Sequence, residues 1–335
     1  MKFLALFFVL AFQLLGCTDQ AIKVDAIKGR TMGTTYSIIW PKQVSDVSIT
    51  KLKTRIDALL IALNTEMSTY DKSSELSRFN LSNAPATQAI SKDFSEVMAL
   101  SKTLYKQTDG YFDVSIGPLV NLWGFGPDKS PNKTPLDTEI KNRLSKIGLN
   151  QVDLDQGILS KSHDRYIDLS AVAKGYAVDK VADVLDEIGI NAYLVEIGGE
   201  MRAKGQKAEG KPWRIAIETP DLHQRKVQKI LPVSDVAIAT SGDYRNYFEL
   251  EGRRYSHTID PKTGRPVEHD LASVTVIDLE CARADALATA MLVMGKEKAK
   301  AFAIKNQVKA YLIVRNEQGE FEEYLTPAFS GWFNP

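Results

Sequence analysis

The chain predicts an α+β fold with mixed sheets and flanking helices, and three observations predict it. Strand-like and helix-like segments are interleaved without the regular βαβα alternation that builds a doubly wound sheet. Some segments carry apolar residues at helical spacing, while others alternate polar and apolar residues as half-buried strands do. The composition, 44% hydrophobic and 25% charged over 335 residues, is that of a globular protein with a sizeable core. The 42 basic residues balance the 42 acidic ones, and no polybasic run is present. That balance argues against a nucleic-acid partner and against electrostatic attachment to anionic lipid.

The N-terminus reads as a targeting segment. After Met1-Lys2, residues 3–15 hold one polar side chain, Gln13. Thirteen residues are too few to span a bilayer but suit the core of a signal peptide. The segment closes on Leu14-Leu15-Gly16-Cys17, which resembles a bacterial lipobox with Cys17 as the lipidated residue. Residues 1–16 are accordingly read as a lipoprotein signal peptide, 17–28 as a tether and 29–335 as one domain. With Cys17 lipidated, Cys281 is the only remaining thiol and no internal disulfide can form. Free Cys usually packs as a small buried hydrophobe, and Cys281 is read that way.

Residues 30–40 alternate as a strand. Ile49, Leu52, Ile56, Leu59, Leu60, Leu63 and Met67 recur at helical spacing. A second helix is predicted over 91–108, with Ser91 as N-cap and Asp109-Gly110 as its stop. Residues 111–116 read as a strand, and 127–137, rich in Pro, Lys and Asp, as a loop. A short helix over 138–147 and hairpin strands to Leu169 follow. Ser170 is placed as the cap of a helix through Ile188, stopped by Gly189. Strands are expected at 191–197, 213–219, 235–239, 244–250 and 271–277, helices at 281–294 and 296–306, and closing strands near 309–314 and 321–325.

Within the 281–294 helix, Asp285 and Thr289 stand four residues apart and share one face. A carboxylate and a hydroxyl with no His or Cys cluster nearby suit a hard cation such as Mg²⁺ better than zinc. The bland alternative is an exposed Asp and a Thr bonded back to its own helix. Upstream, Ser256-His257-Thr258-Ile259-Asp260-Pro261-Lys262-Thr263-Gly264 sets an imidazole and a carboxylate on a Pro/Gly turn, where side chains can reach a ligand. Asp168-Leu169-Ser170-Ala171-Val172-Ala173-Lys174-Gly175 sets a Lys and several small residues at a helix start. It is not a Walker A loop, because no Gly-rich loop precedes Lys174 and no Ser or Thr follows it. Gly198-Gly199 marks close backbone approach or a bulge, and Ala239-Thr240-Ser241-Gly242-Asp243-Tyr244-Arg245 is a strand-to-turn junction offering hydroxyls and an Arg. No nucleophile triad signature is present. His163, His223 and His269 sit in polar contexts and read as exposed.

Taken in order, these stretches resemble the FAD:protein FMN transferases, the ApbE-type flavin transferase lipoproteins. The carriers are Gly29-Arg30-Thr31-Met32-Gly33-Thr34, Ser68-Thr69-Tyr70, Asp109-Gly110-Tyr111-Phe112-Asp113 with the Gly/Trp-rich 117–126, then 168–179, Gly198-Gly199, 239–242, 257–266 and 284–290. The resemblance covers essentially everything after the signal segment and implies an ApbE-like flavin transferase fold. It implies transfer of the FMN half of FAD to a Thr or Ser hydroxyl of a client protein, with release of AMP.

Carried over by position, Met32, Tyr70, Tyr111, Phe112, Asp113, Asp168, Lys174 and Ile259 would line the FAD site. Mg²⁺ would be held by the Ala171 carbonyl with Asp285 and Thr289. His257 is the expected base for the acceptor hydroxyl, with Asp260 positioning its loop or the ligand. The family's typical clients are flavin-bearing subunits of the Na⁺-translocating NADH:quinone oxidoreductase and of Rnf-type complexes. A lipid-anchored enzyme on the periplasmic side, at the inner membrane, fits such clients. Two other readings stay open on the motifs alone: a metal-dependent FAD pyrophosphatase releasing FMN and AMP, and a periplasmic flavin-binding lipoprotein without catalysis.

Overall fold

The computed structural model describes residues 24–42, 48–128, 133–221, 226–244 and 246–333. The predicted signal peptide, Cys17 and His223 lie outside those residues. An eight-stranded sheet forms the backbone of the molecule, in the spatial order Val24–Thr31, Thr34–Pro41, Tyr193–Ile197, Glu200–Lys204, Val236–Gly242, Leu271–Asp278, Lys309–Arg315 and Phe321–Leu325. Each neighbouring pair is antiparallel. The α+β expectation is met.

One face of the sheet is covered by helices. Ile49–Met67, Lys92–Gln107, Ala173–Glu187 and Cys281–Met294 bury Ile56, Leu63, Phe94, Val178, Leu185, Leu287 and Met291 against Tyr36, Ile38, Val195 and Val274. At roughly 1.5–3 kcal/mol per large buried side chain, this layer is the main source of stability. A ribbon of Trp213–Glu218 and Val227–Val233 covers the other face with the Pro327–Phe333 helix, burying Trp213, Ile215, Leu231 and Phe329. A third cluster, Leu119, Trp123, Ile140, Phe248, Tyr255 and Ile259, supports the loops at one end. No described helix is long and apolar enough to cross a membrane.

Several expectations need correction. Residues 24–28, assigned to the tether, already pair in the first strand. The strand expected at 30–40 is the end of one strand and most of the next, because Met32 (φ 48°) and Gly33 (φ 73°) make a tight turn between them. Residues 111–116 are not a strand. The Asp113 carboxylate accepts from both Ser115 N (2.8 Å) and Ser115 Oγ (2.6 Å), curling the chain into a 3-10 turn. The Gly117–Leu122 helix follows, with Pro118 in its first turn. Ser170 does not cap the next helix: its hydroxyl bonds Asp168, and the helix starts at Ala173. The Glu75–Leu81 helix and the Glu200–Lys204, Val227–Val233 and Arg253–Ser256 strands were not anticipated. His269 is half-buried under Gly295 rather than exposed. Ser91 does cap its helix, accepting from Phe94 N, and Cys281 is fully buried.

Candidate active site

The site rests on two helices packed unusually close. Gly175, in the first turn of Ala173–Glu187, faces the start of Cys281–Met294, and a Cβ there would lie 2.4 Å from the Cys281 carbonyl oxygen. The helices exchange capping groups. Asp179 accepts from Cys281 N (3.0 Å) and Ala282 N (2.9 Å), satisfying two orphan donors of the second helix. Asp285 Oδ2 accepts from Gly175 N at 3.1 Å, at the positive end of the first. Thus Asp285, only 3% exposed on a mostly apolar helix, is held by the partner helix rather than by solvent.

Lys174 lies next to this contact. Its ammonium is 3.2 Å from Glu200 Oε1 and 3.7 Å from Asp285 Oδ2. Burial opposes the charge, but Asp285 and Glu200 outweigh it, so the ammonium is held above its ordinary pKa. For Glu200, burial dominates and raises the carboxyl despite Lys174. Its Oε2 is buried without a hydrogen-bond partner. One turn beyond Asp285, the Thr289 hydroxyl is 3.0 Å from the Ser241 hydroxyl.

These groups border a cavity of about 380 Å³. Of the residues expected at the flavin and metal sites, Tyr70, Tyr111, Phe112, Asp113, Asp168, Ala171, Lys174, Ile259, Asp285 and Thr289 line it, together with His257, the expected base. Two Asp-x-Ser turns form part of the wall. Asp168 Oδ1 accepts from Ser170 N and Oγ as Asp113 does from Ser115, and Asp168 N donates to Val114 O at 2.7 Å, locking one turn to the other. Burial raises the Asp113 carboxyl, against the Ser115 hydrogen bonds. Tyr111 lies at the rim with the Lys298 ammonium 2.6 Å from its hydroxyl.

Two expected residues stand apart. Met32, on its hairpin turn, lines a neighbouring depression with Arg30, Asn64 and Asp71. Asp260 does not border the cavity. It follows Ile259 in a two-residue strand, so when Ile259 faces the cavity Asp260 faces away. Its carboxylate accepts from Lys262 N at 2.8 Å and braces the loop.

His257 Nδ1 is 2.8 Å from the Asn246 carbonyl oxygen. A carbonyl only accepts, so Nδ1 carries the proton and Nε2 keeps the lone pair. Burial lowers the ring's pKa, Asn246 pulls it back up, and the Lys174 charge lowers it further. The ring is backed by Phe125 in an edge contact at 6.3 Å; Phe125 packs on Phe248, which stacks on Tyr255.

Among the described residues no group of three or more His, Cys, Asp or Glu is arranged to hold a metal. What the cavity offers is a mixed oxygen set: the Asp285 carboxylate, the Thr289 hydroxyl, Ala171 on the rim and the unpartnered Glu200 Oε2. That set fits a hard divalent cation completed by waters and phosphate oxygens, and offers no soft ligand. Glu200 and Asn246 were missed as functional residues, whereas Ser241 was picked out only as one hydroxyl of the 239–245 junction. Glu200 sits directly after the Gly198-Gly199 turn, the one signal that pointed to it.

Comparison with known proteins agrees with this geometry. The sequence model of the ApbE family matches residues 32–312. The chain is 48% identical over 317 residues to the FAD:protein FMN transferase of Vibrio cholerae serotype O1, covering 94% of each chain. It is 45% identical over 321 residues to that of Haemophilus influenzae, covering 92% of each. The solved structure of the flavin transferase ApbE from Vibrio cholerae superposes with a TM-score of 0.86 at 46% identity, covering 92% of this chain and 99% of that one.

Proposed function

The chain belongs to the ApbE family, and on that premise we propose a divalent-cation-dependent transfer of the FMN half of FAD to a Thr or Ser hydroxyl of a client protein, releasing AMP. FAD:protein FMN transfer is the activity of relatives that match it almost end to end. The observation that carries the mechanistic reading is the convergence of Lys174, Asp285, Thr289 and His257 on one cavity.

In this reading the FAD diphosphate lies near the N-terminus of Ala173–Glu187, where the positive end of the helix dipole and the Lys174 ammonium favour an anion. Asp285 and Thr289, with the Ala171 carbonyl, would hold Mg²⁺, and such an ion would supply positive charge to neutralise the diphosphate oxygens and the departing AMP. His257 Nε2 takes the acceptor proton. The hydroxyl oxygen bonds the FMN phosphorus, the bridging P–O bond breaks, and AMP leaves with that bond's electron pair. Asn246 keeps the imidazole in the tautomer that can accept the proton.

The proposal extends to Cys17 as a lipid anchor on the periplasmic face of the inner membrane, which would hold the enzyme near membrane-bound clients. Flavin-bearing subunits of Na⁺-translocating NADH:quinone oxidoreductase or Rnf-type complexes are the proposed clients. The test is to incubate such a subunit, purified without flavin, with FAD, Mg²⁺ and the enzyme, then denature it. A mass increase of one FMN with in-gel flavin fluorescence is expected. Free FMN appearing equally without acceptor, with no mass change on the subunit, would identify a pyrophosphatase instead.

A further inference from the structure

A second cavity, of about 290 Å³, lies behind the Gly117–Leu122 helix and shares no lining residue with the active-site cavity. The helix is their common wall. Ile116, its N-cap, and Val120 border the active-site cavity, whereas Pro118, Asn121 and Leu122 border the second space. The helical period thus divides one short element between two cavities. The second space is strongly cationic. Arg143, Lys146, Lys161 and Arg165 border it, against the carboxylates of Asp128 and Asp164.

Two of these cations are built into the core. Lys161 is 3% exposed, and its ammonium donates to the carbonyls of Phe79 (2.8 Å), Asn80 (3.3 Å) and Arg165 (3.3 Å). Arg165 is 6% exposed. It donates to the Asp164 carbonyl at 2.7 Å and to Gln151 Oε1, and its Nε is buried with no acceptor. Every one of these acceptors is neutral. Burial lowers the Lys161 pKa, and the Asp164 charge offsets that only in part. Buried charge held by neutral dipoles alone still lacks a counter-ion. Arg143, in the last turn of Asp137–Leu144, is exposed, and Lys146 just beyond it is half-buried. Neither makes an ion pair or a side-chain hydrogen bond among the described residues. Asp128 is already engaged, accepting from Asn121 Nδ2 at 3.0 Å.

We propose that this cavity binds a small phosphate-bearing anion, held by Arg143 and Lys146 over the buried charges of Lys161 and Arg165. The three protons of the Lys161 ammonium are committed to carbonyls, so that residue contributes charge rather than contact. Direct contacts fall to Arg143 and Lys146. A guanidinium can bind two phosphate oxygens at once, and an ammonium serves as a compact point charge. The volume is at the lower limit of small-molecule sites, and Pro118, Leu122 and Tyr166 line it. That suits a phosphate or a compact phosphomonoester and excludes a dinucleotide. Because the helix separates the two spaces, the anion and FAD bind together.

Calorimetric titration of the full protein with inorganic phosphate, at constant ionic strength against chloride, tests this alongside the double variant Arg143→Ala, Lys146→Ala. Saturable binding is expected in the unsubstituted protein, with Kd raised about tenfold or more in the variant, as loss of charge-assisted hydrogen bonds does. Phosphate should raise the melting temperature of the unsubstituted protein and not that of the variant. In chloride alone the two proteins should melt together, since neither side chain has a polar partner to lose. Phenyl phosphate separates the two sources of the anion: tighter binding than phosphate assigns a phosphomonoester with its organic part against Tyr166, and equal or weaker binding assigns free phosphate. Binding should persist when the protein is saturated with FAD. Phosphate that FAD displaces, that the variant binds equally well, or that does not bind at all overturns the assignment.

Discussion

Asp285 accepts a hydrogen bond from the backbone N–H of Gly175 at 3.1 Å, across the contact between two helices that begin more than a hundred residues apart in sequence. One oxygen of the carboxylate is thereby anchored to the first turn of the helix that also carries Lys174. The relation fixes the Asp285 carboxylate, the Lys174 ammonium and a helix N-terminus as one rigid unit, which is what stabilising a charge-rich transition state without reorganisation requires.

Asp285→Asn retains the shape of the side chain but removes its charge. Covalent flavin transfer is expected to fall by about 10²-fold or more, with the melting temperature changed by only a few degrees. Initial rates of FMN incorporation check this; a variant with near-normal rates would remove Asp285 from the chemistry.

His257 has its pKa lowered by burial, so the neutral base persists below the ordinary value of about 6.5. The transfer rate should be flat through neutral pH and decline only as pH falls through that depressed pKa, where Nε2 becomes protonated. His257→Gln should lose roughly 10²–10⁴-fold in rate and lose the acidic limb as well. A pH–rate profile of both proteins decides: an acidic limb that survives in the variant belongs to another group.

Lys174→Met leaves Asp285 and Glu200 facing one another without their shared cation. Removing one partner from a buried charge cluster costs about 3–5 kcal/mol. Denaturant unfolding should show that loss, and millimolar MgCl₂ should restore part of it in the variant. Stability insensitive to Mg²⁺ would show that the ion does not bind between these carboxylates.

Gly175→Val cannot be accommodated without parting the two helices, since even a Cβ meets the Cys281 carbonyl at 2.4 Å. A loss of about 1–3 kcal/mol or more is expected from overpacking, together with weaker FAD binding, because Asp285 and Lys174 move with the helices. Equilibrium unfolding and fluorescence titration measure both; normal values for each would contradict the close packing.

The helices at Ile49–Met67, Lys92–Gln107 and Cys281–Met294 were legible because their apolar spacing and caps are local properties. The 111–116 segment was not. Its β-like alternation was overruled by Asp113, whose carboxylate captures Ser115 and curls the backbone. The i,i+4 spacing placed Asp285 and Thr289 on one face, but no pattern paired them with Glu200, which comes from a strand end 85 residues upstream. Asp260 fills one of the two roles expected of it, bracing its loop through Lys262 N, but it does not reach the cavity. Proximity to His257 in sequence says nothing about direction when side chains alternate across a strand.

Residue order alone determined the family, the helical face carrying Asp285 and Thr289, and the isolated His257, since each is a matter of which residues stand how far apart. Only the folded chain decided which oxygens meet. The orphaned Glu200 carboxylate, the Asn246 carbonyl that sets the imidazole tautomer, and the close helix contact that Gly175 permits all arise where segments distant in sequence pack together. Backbone carbonyls and absent side chains act there through position, which no local pattern encodes.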